Sequence, residues 1–500
     1  MSFNTLDFFL LFAVTVLLYF VLPRKLKNPV LLLSNLVFYA VYDWILILYL
    51  ILTTLAAWGF GLLIEKGRGG KSGKAFMIAG VLSNVLVLVF YKYFNFLSAN
   101  VGSLLGVKEP VRLSLVVPLG ISFIVFTAIS YIVDVYKEKT PAEKNLFRFS
   151  LYMTFFPKIV QGPIEKAGDM LPQFDQPHRF DLLRFRKGML WVLYGLFMKM
   201  VVADTAAIAV DTVYGNLTEY SGAAVLFATV LFAVQLYADF AGYSYTALGA
   251  AMVLGFDLKQ NFRQPYLSLS VSEFWRRWHM SLNVWLRDYI YIPLGGNRCS
   301  KARKNFNTLA TFAVSGIWHG ADWGYLIWGL LNGLYVIAEG FLKGLSGKDK
   351  EKKEKVPAHG EKQEPSRLAK MGKGLLTTIL VGFSWIFFRG RDLGTSFTVI
   401  RTIFSKFHLI EFMKYIYRGL RAGSTVFGLD ARYGLAVLAL GILTVILVDL
   451  YENRHDLAGK LAGGNRAIRW TVCFLLIFAI MLFGVYGYGY SASSFIYTGF

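Results

Sequence analysis

Two of the six histidines in this 500-residue chain stand where an imidazole could do chemistry. His319 follows the apolar run Thr308–Trp318, which as a helix is about 16 Å long, against a bilayer hydrocarbon core of about 30 Å. Gly316 and Gly320 favour a turn, so the sequence predicts an imidazole at the end of a helix that stops inside a membrane. An apolar pocket favours the neutral imidazole, which can take a proton from an attacking hydroxyl group. A histidine that only bonds to a neighbouring helix is the alternative.

His279 lies in a second segment whose residues could take part in a reaction. This segment is rich in tryptophan and arginine. Its aromatic residues recur at three-, four- and seven-residue spacings, which predicts one aromatic helix face at the membrane interface. Arg276 and Arg277 would then face water or an anion. A plain interfacial helix explains the aromatics and arginines but not the histidine. The aromatic residues in question are Trp275, Trp278, Trp285 and Tyr289.

Several familiar catalytic signatures are missing from the sequence. It has no Walker-type phosphate loop, no HExxH zinc motif and no Gly-x-Ser-x-Gly elbow, which removes the usual marks of ATP-driven transport, zinc proteolysis and serine hydrolysis. Cys299 and Cys473 offer neither a disulfide framework nor a thiolate metal site. We therefore expect no bound metal and no bound cofactor.

The composition is that of a membrane protein. Hydrophobic residues make up 56% of the chain and charged residues only 17%, against about a quarter in soluble domains. A net charge of +21 would raise the question of nucleic acid in a soluble protein. Here the basic residues lie in short segments between apolar runs, as the positive-inside rule requires, so we expect contact with a lipid bilayer and none with nucleic acid.

The elements that must position the histidines are membrane helices. Counting apolar runs predicts an all-α polytopic protein with about eleven or twelve membrane segments in a cell (cytoplasmic) membrane. The basic clusters place both termini outside, and the polar segment Phe256–Asn305, with nine basic and three acidic residues, on the cytoplasmic side. The predicted spans are Phe8–Leu22, two closely joined spans ending near Ile64, Phe76–Val89, Leu115–Val135, Gly188–Val213, Ala223–Leu248, Trp323–Phe341, Leu375–Phe388, Leu435–Leu450 and Trp470–Tyr486.

Three segments depart from this pattern. Phe155–Glu165 is too short to cross and contains two prolines, which predicts a re-entrant or interfacial element buried in protein. Lys343–Lys373 is polar and highly charged, and is predicted to be a disordered cytoplasmic linker within a single membrane domain, residues 1–500. Arg391–Arg432 is basic and aromatic, which predicts an amphipathic element on the outer face.

At Phe274–Arg298 and Ile317–Gly329 the chain resembles the membrane-bound O-acyltransferase family, and within it the branch of alginate O-acetylation proteins. The order of the matching segments covers most of the chain. Further segments that read like this branch are Pro118–Phe123, Ser130–Tyr136, Phe155–Lys158, Gly162–Glu165, Gln235–Ser244, Arg287–Arg298 and Phe495–Tyr497.

The resemblance implies that His319 is the family's catalytic histidine and that His279 is the second histidine of the branch. It also implies a ring of tilted helices around a thin central region with a tunnel. In this scheme Arg276, Arg277 and His279 line the cytoplasmic mouth, where a phosphate-bearing donor would meet positive charge. The residues expected at the donor site or along the tunnel are Trp318, Arg276, Arg277, Trp278, Asn283, Asp288 and Tyr291.

The expected function is transfer of an acyl group, foremost acetyl, from a cytoplasmic thioester donor to an extracellular, alginate-like polysaccharide. The donor substrate would be acetyl-CoA or an acyl carrier protein, and an extracytoplasmic acyltransferase partner is expected to complete the transfer. D-Alanyl transfer to lipoteichoic acid is the enzymatic alternative. A membrane transporter or flippase is the alternative from another class.

Overall fold

The computed structural model describes residues 2–41, 44–176, 178–345 and 366–486, and this part of the chain is mainly helical. The predicted all-α class is therefore confirmed. The described strands form one short antiparallel pair, with Thr425 opposite Asp430. The elements are α1 (Leu6–Val21), α2 (Arg24–Ala40), α3 (Leu46–Lys66), α4 (Lys71–Leu88), α5 (Phe94–Leu104), α6 (Ile121–Tyr136), α7 (Leu146–Thr154), α8 (Phe156–Ile159), α9 (Ala167–Met170), α10 (Leu182–Phe197), α11 (Asp204–Gly215), α12 (Gly222–Val253), α13 (Val271–Arg277), α14 (Met280–Leu286), α15 (Lys301–His319), α16 (Trp323–Leu345), α17 (Arg367–Gly390), α18 (Leu393–Ser405), α19 (Leu409–Ala422), β1 (Thr425–Val426), β2 (Leu429–Asp430), α20 (Tyr433–Glu452), α21 (Leu457–Gly463) and α22 (Arg466–Phe483).

Eight helical runs among the described residues are long and apolar enough to cross a bilayer. Two more helices, α1 and α6, are apolar but have 16 residues each. The protein is therefore a multi-pass membrane protein, as the composition predicts. The eight runs are Leu46–Lys66, Lys71–Leu104, Leu182–Gly215, Gly222–Val253, Trp323–Leu345, Arg367–Gly390, Tyr433–Glu452 and Arg466–Phe483.

The structure corrects two helix boundaries that were predicted from apolar runs. The residues that cap these helices lie in charged sequence, outside the apolar runs. The Ser300 side chain accepts a hydrogen bond from the backbone N–H of Arg303, so α15 starts among basic residues and has 19 residues rather than 11. Ser366 caps α17 in the same way, and α16 continues to Leu345. The predicted linker is thus helical at both ends, and its centre, residues 346–365, lies outside the described residues.

One compact unit comprises residues 1–205, 236–260 and 456–500. Within it α10 packs closely against the second half of α12. A Cβ atom added to Gly195 would lie 2.4 Å from the carbonyl oxygen of Gly242, and one added to Gly249 would lie 2.4 Å from that of Gly188. Small residues allow this backbone approach inside a membrane. The segment predicted to be re-entrant, residues 155–165, is buried throughout in the same unit.

A buried ion cluster links α12 to the segment that directly follows α10. The Lys199 Nζ atom lies 2.6 Å from Asp239 Oδ1 and 2.8 Å from Asp204 Oδ1, and all three side chains are at most 7% exposed. Removing one partner of a buried ion pair leaves an uncompensated charge, which costs about 3–5 kcal/mol. The cluster therefore matters for stability whether or not it has another role.

We expect Lys199→Met to lower the thermal midpoint of the detergent-solubilised protein strongly, since two carboxylates would lose their cation. Lys187→Met is the matched control, because the partner carboxylate of Lys187, Asp456, is 54% exposed and water can replace the lysine. Equal thermal midpoints for the two variants would contradict this account of Lys199.

The other unit comprises residues 206–235 and 261–455. Its centre is the antiparallel pair α15 and α16, which meets through glycines. A Cβ atom on Gly316 would lie 2.3 Å from the carbonyl oxygen of Tyr325, and one on Gly329 would lie 2.3 Å from that of Phe312. The tight turn between these helices begins directly after His319, which fixes the position of its side chain.

Within the segment Arg391–Arg432, the helix α19 is amphipathic, as predicted. In α19 one exposed stripe is apolar and a second exposed stripe is charged, while Gly419 is buried against the rest of the unit. Its location on the outer face stays a prediction. The apolar stripe is Ile410, Met413, Tyr417 and Leu420, and the charged stripe is Glu411, Lys414, Arg418 and Arg421.

Candidate active site

His319 is the last residue of α15 and is 3% exposed. Its Nδ1 atom lies 2.6 Å from the backbone carbonyl oxygen of Ser315, one turn earlier. A carbonyl oxygen can only accept, so Nδ1 carries the hydrogen and Nε2 carries the lone pair. This is the tautomer that a general base requires, and the helix itself selects it.

Aromatic rings surround the His319 imidazole. Trp328 lies with its ring centroid 4.8 Å away, Trp318 at 5.0 Å and Phe388 at 5.5 Å, each approaching edge to face. Trp385 stacks on Trp328 at 5.6 Å. Such a cage excludes water and strengthens electrostatic interactions within it.

His279 lies close to this cage, 40 residues earlier in the sequence. It is 1% exposed, and its ring centroid lies 6.0 Å from that of Trp318. Burial, and to a lesser degree the neighbouring His319, lowers the pKa of His279 well below its ordinary value, so the imidazole is neutral at physiological pH. His279 is thus buried in the protein interior, and its place at a cytoplasmic mouth stays a prediction.

A backbone turn carries His279 into the interior. His279 has a φ of 44°, in the left-handed region, where α13 ends and α14 begins. The Asn283 side-chain amide holds this turn, since its Nδ2 atom donates toward the carbonyl oxygens of Trp275 (2.8 Å), Trp278 (2.6 Å) and His279 (3.2 Å). Asn283 is thus a positioning residue within the predicted donor site.

The predicted aromatic face at the membrane interface is wrong. The turn at His279 breaks the single helix that the spacing implied, and the four aromatic side chains are 1–9% exposed. Trp278 stacks on Phe274 at 5.4 Å and meets Trp385 at 5.2 Å. These rings are part of the protein core around the site, because each half of the broken helix turns its aromatic side inward.

The remaining predicted donor-site residues are more scattered. Arg276 is exposed, whereas Arg277 pairs with Glu273 at 2.7 Å and donates to Asn453. The Asp288 carboxylate is 9% exposed and accepts from Arg287 at 2.8 Å, and the Tyr291 hydroxyl donates to Asn297 at 2.6 Å. Of the arginines predicted at the donor site, the exposed one is therefore Arg276.

Sequence reasoning missed the polar residue that ties the cage together. Asn332 is fully buried in α16, where its Oδ1 atom accepts from the Trp275 indole N–H at 3.2 Å. Its Nδ2 atom donates to the Trp328 carbonyl oxygen and to the Ser384 hydroxyl oxygen. An asparagine inside an apolar span was the available signal, since polar side chains there bond across helices.

Within the described ranges no three His, Cys, Asp or Glu side chains come together in a way that would hold a metal ion. The two histidines and their aromatic neighbours form the candidate site of this multi-pass membrane protein, and both histidines are buried in the unit that holds α15 and α16.

Comparisons with known proteins agree with that class. Residues 80–350, more than half of the chain, match the profile of MBOAT, the membrane-bound O-acyltransferase family. The chain is 32% identical over 458 residues to the probable alginate O-acetylase AlgI of Pseudomonas syringae pv. tomato, covering 90% of this chain and 82% of that protein. It is 30% identical to the peptidoglycan O-acetyltransferase of Helicobacter pylori (80% and 79% covered) and 29% identical to the teichoic acid D-alanyltransferase of Streptococcus thermophilus (47% and 60% covered).

The chain therefore belongs to the membrane-bound O-acyltransferase family, and it is an acyltransferase. The transporter alternative is set aside on this ground. The family segment predicted at Phe495–Tyr497 lies outside the described residues.

Proposed function

We propose that this protein transfers an acetyl group from a cytoplasmic thioester donor to a hydroxyl group of an extracellular polysaccharide. The observation that carries the proposal is the His319 imidazole, buried among aromatic rings with its Nδ1 atom 2.6 Å from the Ser315 carbonyl oxygen. Similarity to alginate and peptidoglycan O-acetylating proteins supports acetyl as the acyl group and a polysaccharide as the acceptor.

The chemistry at the site is a balanced acyl transfer. His319 Nε2 removes the proton from the acceptor hydroxyl as its oxygen bonds to the thioester carbonyl carbon. The C–S bond then breaks, and the leaving thiolate takes that proton from the imidazolium. An acyl-histidine intermediate is the alternative role for the same nitrogen. In either case the acyl group passes to an oxygen acceptor and a free thiol remains.

Exposed cations support a donor that carries phosphate. Arg276 and the segment 298–304 present arginine and lysine side chains to solvent. A phosphopantetheine arm, either on coenzyme A or on an acyl carrier protein, would meet positive charge there. An extracytoplasmic acyltransferase partner that acts with this protein to complete the transfer is part of the proposal, as is location in the cytoplasmic membrane of the cell.

The proposal is tested by reconstituting the purified protein in vesicles and supplying radiolabelled acetyl-CoA or acetylated carrier protein on the cytoplasmic side. Labelled O-acetyl ester on an alginate acceptor, with the extracytoplasmic partner present, is the expected result. D-Alanyl transfer is the second candidate, favoured by the similarity to teichoic acid D-alanyltransferases. Transfer from a D-alanyl carrier protein, with no transfer from either acetyl donor, would identify D-alanyl transfer as the function.

The orientation can be tested with a native residue. Cys299 is exposed in the basic segment that the charge rule places in the cytoplasm. We expect a membrane-impermeant maleimide to label Cys299 in inside-out vesicles and not in intact cells. Cys473→Ala removes the other cysteine as a background control. Labelling from the cell exterior alone would reverse the orientation.

The centre of the predicted linker should be dispensable for chemistry. Residues 346–365 carry mixed charge and almost no apolar side chains, so they have little to bury. Replacing them with a Gly/Ser linker of equal length should leave acyl transfer within about twofold of wild type in the vesicle assay. Loss of activity in a variant with normal expression and an unchanged thermal midpoint would show that the segment docks a donor or a partner.

A further inference from the structure

Trp328 is the ring nearest to the His319 imidazole, and its indole N–H is a buried donor without a hydrogen-bond partner among the described residues. The side chain is 1% exposed. An indole nitrogen can donate but cannot accept, and buried tryptophans usually find a partner for it. A specific unsatisfied buried group therefore calls for an explanation.

A neighbouring tryptophan shows that the local packing can satisfy an indole. Trp275 lies 5.5 Å from Trp328 and donates its N–H to the Asn332 Oδ1 atom. Asn332 also holds Trp328, but only through the Trp328 backbone carbonyl oxygen. The Trp328 indole N–H is thus left unmet on the ring nearest to the imidazole.

The Trp328 ring is also held in place. It stacks on Trp385 with an angle of 20° between the ring planes, and Phe388 meets it edge to face at 5.0 Å. Its helix, α16, packs closely against α15 at the next residue, because Gly329 lies against the α15 backbone. A donor fixed in a dry site does not have to reorganise when negative charge develops beside it.

We propose that the Trp328 indole N–H donates a hydrogen bond to the carbonyl oxygen of the acyl group as that oxygen becomes negatively charged. The inference rests on the proposed acyl transfer from a thioester. When the acceptor oxygen bonds to the carbonyl carbon, its proton goes to His319 Nε2 and the electron pair of the C=O double bond moves onto the carbonyl oxygen. The carbonyl re-forms as the C–S bond breaks, and the hydrogen bond from Trp328 weakens again.

Two variants of Trp328 test the role. Trp328→Phe removes the N–H and part of the ring, and replacement of Trp328 by benzothienylalanine, with sulfur in place of N–H, keeps the shape of the bicyclic ring. Removing one oxyanion donor typically lowers turnover by about a hundred- to a thousandfold. We expect both variants to lose acetyl transfer by at least about a hundredfold in kcat, with KM changed far less.

Trp191→Phe is the matched control for the loss of a buried indole. Trp191 is 6% exposed and stacks on Tyr245 at 4.7 Å in the other compact unit. This variant should keep transfer within about threefold of wild type. The second readout is affinity for the S-ethyl thioether of the carrier that supports wild-type transfer. That analogue lacks the carbonyl oxygen, so the Trp328 variants should bind it as wild type does.

The outcomes are distinguishable. A benzothienylalanine protein that keeps more than about a third of wild-type turnover overturns the donor role while acyl transfer itself stands. Equal losses of turnover and of thioether affinity assign Trp328 to packing and overturn it as well. Absence of transfer by the wild-type protein from every thioester donor would instead refute the proposed function on which the inference rests.

Discussion

His319→Gln should reduce acyl transfer by at least about a hundredfold while expression and thermal stability stay near wild type. General base catalysis contributes about a hundred- to ten-thousandfold, or about 3–5 kcal/mol of transition-state stabilisation. Glutamine keeps the approximate size of the side chain, and its amide N–H can still donate to the Ser315 carbonyl oxygen. It cannot take up and release a proton near neutral pH. Turnover of labelled acetyl donor in vesicles, together with a thermal midpoint in detergent, provides the measurement.

His178→Gln is the matched control. The His178 Nε2 atom also lies 2.8 Å from a backbone carbonyl oxygen, that of Gln173, but the residue belongs to the other compact unit and has no proposed part in the reaction. It should keep wild-type turnover. If His319→Gln kept more than about a tenth of wild-type turnover, His319 would be a structural histidine and the base would have to be sought elsewhere.

Asn283→Asp should also impair the protein, although the side chain keeps its size. The amide donates toward three carbonyl oxygens, and a carboxylate would face the same three acceptors without a hydrogen to offer. Each buried group left unsatisfied costs about 1–3 kcal/mol. In addition, the turn that Asn283 stabilises holds His279 in the left-handed region. We expect turnover to fall below about a tenth of wild type, with a lower thermal midpoint measured in the same detergent.

Asn297→Asp provides the control for the change of amide to carboxylate. Asn297 is exposed, and its Oδ1 atom accepts from the Tyr291 hydroxyl, a bond that a carboxylate oxygen can also accept. Activity and thermal midpoint should both stay near wild type. An Asn283→Asp protein with wild-type turnover at a temperature where it is fully folded would show that the His279 turn does not matter for acyl transfer.

Much of the architecture follows from local sequence. The apolar runs between basic clusters determine an all-α polytopic protein, because about 20 apolar residues are needed to cross a bilayer and charged residues remain outside its core. The position of His319 at a helix end is local too, since Gly316 and Gly320 flank it. Even its tautomer depends on a carbonyl oxygen only four residues away, at Ser315. Hydropathy does not determine the helix ends, because the cap at Ser300 lies in charged sequence.

What the tertiary structure alone decided is which distant side chains share the site. Spacing predicted the aromatic residues near His279 on one helix face at the membrane interface. The left-handed turn at that residue instead divides the helix, and the rings are buried. His279 and His319 come together because two helical segments fold onto the same tryptophan cage. The unmet Trp328 N–H is likewise visible only when all of its neighbours are known. Periodicity records which residues share a face of one helix, whereas contacts between helices depend on packing that no local pattern contains.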